Sequence, residues 1–448
     1  MAAVKVETPV QPVVPHFNRS EPGSVNIALA SFPKGTKQEP TDIDGVAQSL
    51  IDRFNKALDS GDTQAILDLF LEDCYWRDHL GLGWDFHTLK GKGKINDFLG
   101  SQTQGLKKLT ILRDTPFRAP HYGALDGKGD LKGVEFLIRF EAERGTGRGI
   151  CRIVEENSGT WKIFSLFTTL EELNGHPEAT NHNRPEGVQH GENKNRENWL
   201  DRRNQDFNYE NGKEPAVLIV GAGQAGLTVA ARLKVLGVDA LIVDKLPRVG
   251  DNWRNRYKSL VLHDPVKYDQ MPLLEFPSFW PTYTPKDKLG DWFELYAKAL
   301  ELNVWSSSTI TSNAWDKAKK QWTVQIDRTT PDGNKEKRTF HPRHIIQATG
   351  HSGKMNMPDI KGMKDFKGRR LCHSSEFPGV DQDAQSKKAI VVGSCNSGHD
   401  LAQTFVRIVY CYQDDSANSS SMRMGTTSPW SNAQAHVSYR PKLSRISH

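Results

Sequence analysis

Glycines at 221, 223 and 226, and again at 393 and 398, stand in two strings suited to holding phosphate, PAVLIVGAGQAGL and AIVVGSCNSGHDL. Each string runs from apolar or β-branched residues into a glycine-rich turn, and Gly221 and Gly393 lie 172 residues apart, so two dinucleotides are implied. In the first string Gly221 allows a sharp turn, Gly223 lets backbone approach a pyrophosphate, and Gly226 lets a helix pack closely on a strand. With Gln224 and Ala225 between them, these glycines deliver the anion to a helix N-terminus, where N–H groups and the helix dipole favour negative charge. Asp244 follows Gly226 by 18 residues, about where a ribose-binding carboxylate is expected. An acid there favours a free ribose diol, so FAD or NAD fits this turn better than NADP.

The elements that must position these residues are legible around the first turn. A buried strand is predicted over Ala216–Val220, a helix over Leu227–Leu236 stopped by Gly237, and a second strand over Val238–Val243. Upstream, Asp42 or Asp44 caps a helix whose apolar face is Val46, Ala47, Leu50, Ile51, Phe54 and Leu58. Ser60, Gly61 and Asp62 end it before a second helix through Ile66, Leu67, Leu69 and Phe70. Strand runs begin later at Val134, Gly149 and Trp161. Helices followed by antiparallel strands make an α+β unit over 41–175, preceded by a disordered tail over 1–40. Residues 176–212 are polar and nearly free of aliphatics, which reads as a linker with Trp199, Phe207 and Tyr209 as anchors.

Composition narrows the function classes. The chain of 448 residues carries a net charge of only +5, too small and dispersed to argue for nucleic acid or a membrane surface. No run approaches a transmembrane helix and the N-terminus lacks a signal-peptide build, so a cytoplasmic protein is expected. Five scattered cysteines, 74, 151, 372, 395 and 411, form no CxxC pair, which argues against a dithiol reductase. No metal site is expected.

Two resemblances add to this reading. The phrase LFLEDCYWRD and the closing strand WKIFSLFTTLEEL resemble the cone-shaped nuclear-transport-factor-two-like fold, related to SnoaL. That resemblance implies either a small-molecule pocket, with Asp78, His79, Trp84, Asp85 and His87 as candidates, or a domain for packing and homodimerisation without chemistry of its own. Downstream, GDNW at 250–253, LVLHDP at 260–265 and MPLLEFPSFWPTYTP are similar to the flavin-containing monooxygenases, including the YUCCA-type enzymes. This resemblance implies an α/β Rossmann-type flavoprotein fold with two dinucleotide sites. It places Gly250, Trp253, His263, Thr349 and Gly350 near FAD, in a domain over 213–385.

The stretch FKGRRLCHSSEF resembles the family's FxGxxxHxxxF signature through Phe366, Gly368, His373 and Phe377, with one extra residue before the histidine. It makes His373 the candidate that couples the FAD and NADPH domains. The second turn is then an NADPH site begun over 386–413, with Gly393, Ser394, Asn396, Ser397 and Gly398 as its residues. Cys395 stands there in place of the usual middle glycine. Agreement runs from about Glu214 to Gln403 and then stops. Val406–Tyr412 reads as one strand and 414–448 as a disordered tail, so the second nucleotide domain is expected to be incomplete, as in a C-terminally truncated member. The implied activity is FAD- and NADPH-dependent insertion of one oxygen atom from O2 into a small organic substrate, in secondary metabolism or xenobiotic oxidation. Two alternatives stay open: an uncoupled NAD(P)H oxidase or reductase, and a non-catalytic binding remnant.

Overall fold

The computed structural model describes residues 33, 39–102, 105–157, 159–187, 198–210, 212–350, 355–380 and 389–411. Apart from 33, 39 and 40, the expected tails over 1–40 and 414–448 lie outside the described residues. The chain divides into two units, 1–178 and 179–448.

In the first unit α1 (Ile43–Ser60) begins where the Asp42 carboxylate accepts from the Gly45 N–H at 2.8 Å, and ends at Gly61 with φ +65°. Asp62 caps α2 (Thr63–Asp68) in the same way, accepting from Ala65 N–H at 2.9 Å. There follow β1 (Phe70–His79), β2 (Phe86–Lys90), α3 (Gly91–Gln102), β3 (Leu106–Ile111), β4 (His121–Ala124), β5 (Lys132–Ala142), β6 (Gly145–Asn157) and β7 (Thr160–Leu173). The strands form one sheet in the order β2-β1-β7-β6-β5-β3, with β4 paired to β5. Every pairing is antiparallel except β1 with β7. The apolar stripe of α1, at Ala47, Leu50, Ile51, Phe54 and Ala57, is buried with Phe70, Trp76, Phe136 and Phe140 from the sheet. Strands β1 and β2 precede helix α3 and so interrupt the expected order of helices first and strands after.

The first α-helix of the second unit is α4 (Trp199–Asn208), inside the stretch expected to be a linker. Its polar composition is outweighed by specific anchoring. The Trp305 indole N–H donates to the Phe207 carbonyl at 2.8 Å, Arg338 donates to the Asn208 and Tyr209 carbonyls at 3.1 Å each, and Tyr209 is buried against Trp305 and Phe340. Next come β8 (Val217–Val220), α5 (Gln224–Val235), β9 (Ala240–Val243), α6 (Asp251–Arg254), α7 (Lys286–Ala299) and β10 (Asn303–Trp305). A meander of β11 (Ser308–Asp316), β12 (Gln321–Thr329) and β13 (Lys335–Phe340) leads back to β14 (His344–Gln347).

The parallel sheet runs β10-β9-β8-β14 and is covered on both faces, as parallel strands require. Val217, Ile219 and Ile242 face α5 and α7, while Leu218, Leu241 and Val243 share a cluster with Tyr209, Trp305, Val324, Ile326 and Phe340. The unit's last described element is α8 (Asn396–Cys411). It corrects the strand expected over Val406–Tyr412: the described part of that stretch, to Cys411, continues the helix begun at Asn396. β-branched residues take strand form only where a neighbouring strand receives them. No helix among the described residues is long and apolar enough to cross a membrane.

Candidate functional site

At the first turn the chain leaves β8 through Gly221 at φ +108°, a conformation open to glycine. A Cβ at Gly221 would lie 2.5 Å from the Ala348 carbonyl oxygen, so the end of β14 crosses directly behind the turn and brings Thr349 with it. A Cβ at Gly226 would collide with the Gly221 carbonyl oxygen, which explains how closely α5 packs. Gly223 differs. Its φ is −81°, and a Cβ there would meet only Asn252 Nδ2, at 3.4 Å. It is the N-cap of α5 and no side chain caps that helix, so the turn is a backbone cradle that a Cβ at Gly223 would fill. The residues present therefore fit a dinucleotide diphosphate.

Asp244 stands beside this turn. One carboxylate oxygen accepts from the Ala222 N–H at 2.6 Å and the other from the Leu246 N–H at 2.8 Å. The acid thus braces the turn, each oxygen retaining acceptor capacity for a ribose hydroxyl. Gln224 donates to the Asp269 carbonyl at 3.2 Å, tying the start of α5 to a later loop. Gly250 caps α6 at φ +88°, pressed on Gly290 of α7 so closely that a Cβ would strike the Gly290 carbonyl. Of the GDNW string, the Asn252 side chain approaches Gly223, whereas Trp253 packs partly buried in the core. Asn252 was missed from sequence. Gly350, at φ +75°, follows Thr349 in the segment beyond the end of β14.

The second turn repeats the local geometry of the first. Gly393 has φ +121°, and a Cβ at Gly398 would collide with the Gly393 carbonyl oxygen. The run before it, 389–392, forms no strand, and Ile390 and Val392 are 73% and 53% exposed. A strand there needs a sheet neighbour, and the described sheet ends at β10 and β14. Cys395 is exposed at the middle position.

His263 lies at this second turn. Its Nε2 donates to Asp400 at 2.9 Å and its Nδ1 faces the Asn396 amide at 2.9 Å. Asp400 also accepts from the Tyr257 hydroxyl at 2.7 Å, and the Tyr257 hydroxyl bonds Ser397 as well. Burial, and secondarily Asp400, push the Tyr257 phenol up to about 12. Asn396 and Ser397, expected as phosphate donors, thus spend their side chains on the 257–263 segment. Tyr257 and Asp400 were missed; the signal was Asp400 lying four residues after Asn396, on the same face of α8. His373 makes local contacts only among those described, its Nδ1 accepting from the Ser375 N–H at 3.2 Å, while Phe377 packs against Phe405 of α8.

The first-unit candidates do not converge. Asp78 is fully buried, accepting from Thr168 at 2.5 Å and from the Leu82 N–H at 3.1 Å, and Thr168 accepts from the Trp76 indole at 3.0 Å. It fastens the loop after β1 to β7. His87 pairs opposite Asp78 on the same face of the sheet. His79 lies on the other face, between Phe86 and Phe167, and accepts from Arg77 at 2.7 Å. Trp84 and Asp85 are exposed in the intervening loop.

A parallel sheet whose first strand ends in a Gly221–Gly223–Gly226 cradle defines a dinucleotide-binding α/β protein. Residues 218–440 match the family model described as pyridine nucleotide-disulphide oxidoreductase. Indole-3-pyruvate monooxygenase YUCCA1 of Oryza sativa subsp. japonica is 35% identical over 194 residues, covering 43% of this chain and 45% of that one. Probable indole-3-pyruvate monooxygenase YUCCA9 of Arabidopsis thaliana is 33% identical over 187 residues, covering 41% and 43%. A flavin-containing monooxygenase structure from Stenotrophomonas maltophilia aligns over 47% of this chain and 57% of its own, with 20% identity and a TM-score of 0.39. The dinucleotide-binding segment is thus similar in sequence to these plant monooxygenases, and the chain spans less than half the length of the plant relatives it matches.

Proposed function

We propose that the protein is an FAD-dependent, NADPH-using monooxygenase acting on a small organic substrate with O2. The observation that carries this reading is the first glycine turn, where Gly223 leaves a backbone cradle at the uncapped N-terminus of α5 and Asp244 stands beside it. Gly221, Gly223, Gln224, Ala225 and Gly226 hold the FAD diphosphate through backbone N–H groups, and Asp244 takes the ribose. Asn252 and Thr349 border the same turn, and Gly250 and Trp253 set the short helix that presents Asn252. Bound there, the flavin would accept hydride from a nicotinamide and activate oxygen, chemistry that belongs to the cofactor and that the protein orients and shields from water.

The second turn holds NADPH through the backbone of Ser394–Gly398, and His373 stands in the segment leading to it. The first unit supplies a homodimer surface of nuclear-transport-factor-two-like type rather than chemistry, because its candidate polar residues do not converge.

The test is the visible absorption spectrum of the purified full-length chain, followed anaerobically as NADPH is added. Flavin bands that bleach with NADPH, and oxygen consumption matched by product, support the monooxygenase. Bleaching with peroxide as the sole product would show an oxidase instead, and a colourless protein would refute the flavin reading.

A further inference from the structure

The contacts of α8 concentrate on one short stretch of chain. Tyr257, Ser259, Leu260 and His263 meet it, through Asp400 (2.7 and 2.9 Å), Thr404 (3.0 Å), Leu401 and Asn396 (2.9 Å). Asp400 is central to this group, because one of its oxygens accepts from both the Tyr257 hydroxyl and His263 Nε2. That carboxylate is a liability beside a turn meant for a diphosphate, since like charges repel. Its presence there is accounted for by the two donors it satisfies.

Resting on the reading of the second turn as a nicotinamide dinucleotide site, we propose that Asp400 is the positioning residue of that turn. It holds the N-terminal end of α8 on Tyr257–His263, so that the backbone N–H groups of the turn are fixed for a diphosphate. The same docking explains why Asn396 and Ser397 turn their side chains to the 257–263 segment: the anion is left to the backbone, and their side chains orient the helix. Because the segment carrying Tyr257 follows α6, whose Asn252 borders the first turn, the two turns are joined through residues 252–263.

The inference separates two substitutions. Asp400→Ala removes the shared acceptor, whereas Asp400→Asn keeps a carbonyl oxygen that accepts both bonds and deletes the charge. Amide hydrogen exchange along α8 and calorimetric titration with NADP+ are measured on the full chain, with FAD content as the control. Asp400→Ala is expected to speed exchange in α8 relative to α5 by about tenfold and to weaken NADP+ by about tenfold, with FAD content unchanged. Asp400→Asn is expected to match the parent in exchange and to bind NADP+ at least as well. Unchanged exchange and unchanged NADP+ affinity in Asp400→Ala overturn the proposal, as does equal weakening in both variants.

Should Asp400→Ala not fold, His263→Ala removes the donor of one of the two bonds, and the absence of any loss there overturns the proposal equally. A parent chain that does not bind NADP+ refutes the nucleotide reading of the second turn, and exchange alone then decides whether Asp400 docks α8.

Discussion

Gly223 and Gly226 stand three residues apart in the same turn, yet replacing each with alanine is expected to fail in different ways. A Cβ at Gly226 collides with the Gly221 carbonyl, a backbone atom that no rotamer change can move aside. Overpacking of this kind costs about 1–3 kcal/mol, so Gly226→Ala is expected to melt several degrees lower, at roughly 2–4 °C per kcal/mol, with or without flavin. A Cβ at Gly223 meets only Asn252 Nδ2 at 3.4 Å, and its φ of −81° suits alanine. The entropy alanine removes from the unfolded chain, about 0.4–1 kcal/mol, offsets the weaker helix cap, and the apoprotein should melt unchanged. Its methyl group fills the cradle, however. Losing one or two charge-assisted hydrogen bonds of about 1.5–3 kcal/mol each weakens FAD by at least about tenfold. Differential scanning fluorimetry of apoprotein, with flavin fluorescence on dialysis, reads both quantities. A Gly223→Ala protein that retains FAD at parental affinity would refute the assignment of the diphosphate to this turn.

Four further outcomes are expected. Asp244→Ala strips acceptors from the Ala222 and Leu246 N–H groups and should destabilise the chain by about 1–3 kcal/mol, with FAD content falling alongside, as read by denaturant unfolding and absorbance. Asp78→Ala leaves the Leu82 N–H and the Thr168 hydroxyl without their buried acceptor and should cost a similar amount with no change in flavin content; a fully stable variant would argue against the loop-fastening role. The Tyr257 phenol, raised to about 12 from an unfolded value near 10, keeps its proton in the folded state when the unfolded chain loses it. Stability is therefore full below about pH 10 and declines between 10 and 12, and Tyr257→Phe should flatten that decline in alkaline unfolding curves. Cys395→Gly restores a backbone approach at the second turn and should tighten NADP+, while in the parent a thiol reagent should label exposed Cys395 and leave buried Cys74 and Cys151 untouched.

What could be read from sequence was whatever short-range chemistry dictates. Asp42, Gly61 and Asp62 mark helix ends because a carboxylate or a missing Cβ acts within three residues. Gly221 and Gly226 mark a strand-to-helix turn because its contacts close within five. The strands beginning near Val134, Gly149 and Trp161 alternate strongly enough to be seen. Strands β1 and β2 escaped because Arg77, His79 and Thr88 make the outer face polar and interrupt the pattern. Helix α4 escaped because what holds it, the Trp305 indole and the Arg338 guanidinium, comes from about 100 or more residues downstream. His263 was placed by resemblance at the flavin, and its partners Asn396 and Asp400 lie more than 130 residues away, beyond any local pattern.

The second turn shows where local encoding ends. Gly393 and Gly398 reproduce the backbone of Gly221 and Gly226, with φ of +121° against +108° and the same carbonyl pressed on the last glycine. The run before Gly221 becomes β8 because β9 and β14 flank it, whereas Ile390 and Val392 stay exposed with no flanking strand among the described residues. The turn is thus autonomous and the strand is not, since ladder hydrogen bonds and burial of both faces come only from neighbours. Among the described residues, what holds α8 is side-chain docking, at Asp400, Leu401 and Phe405. It follows that the nucleotide affinity of the second turn should be far more sensitive to Asp400 than that of the first turn is to any single side chain on α5, because α5 is already held by the strands on which it packs.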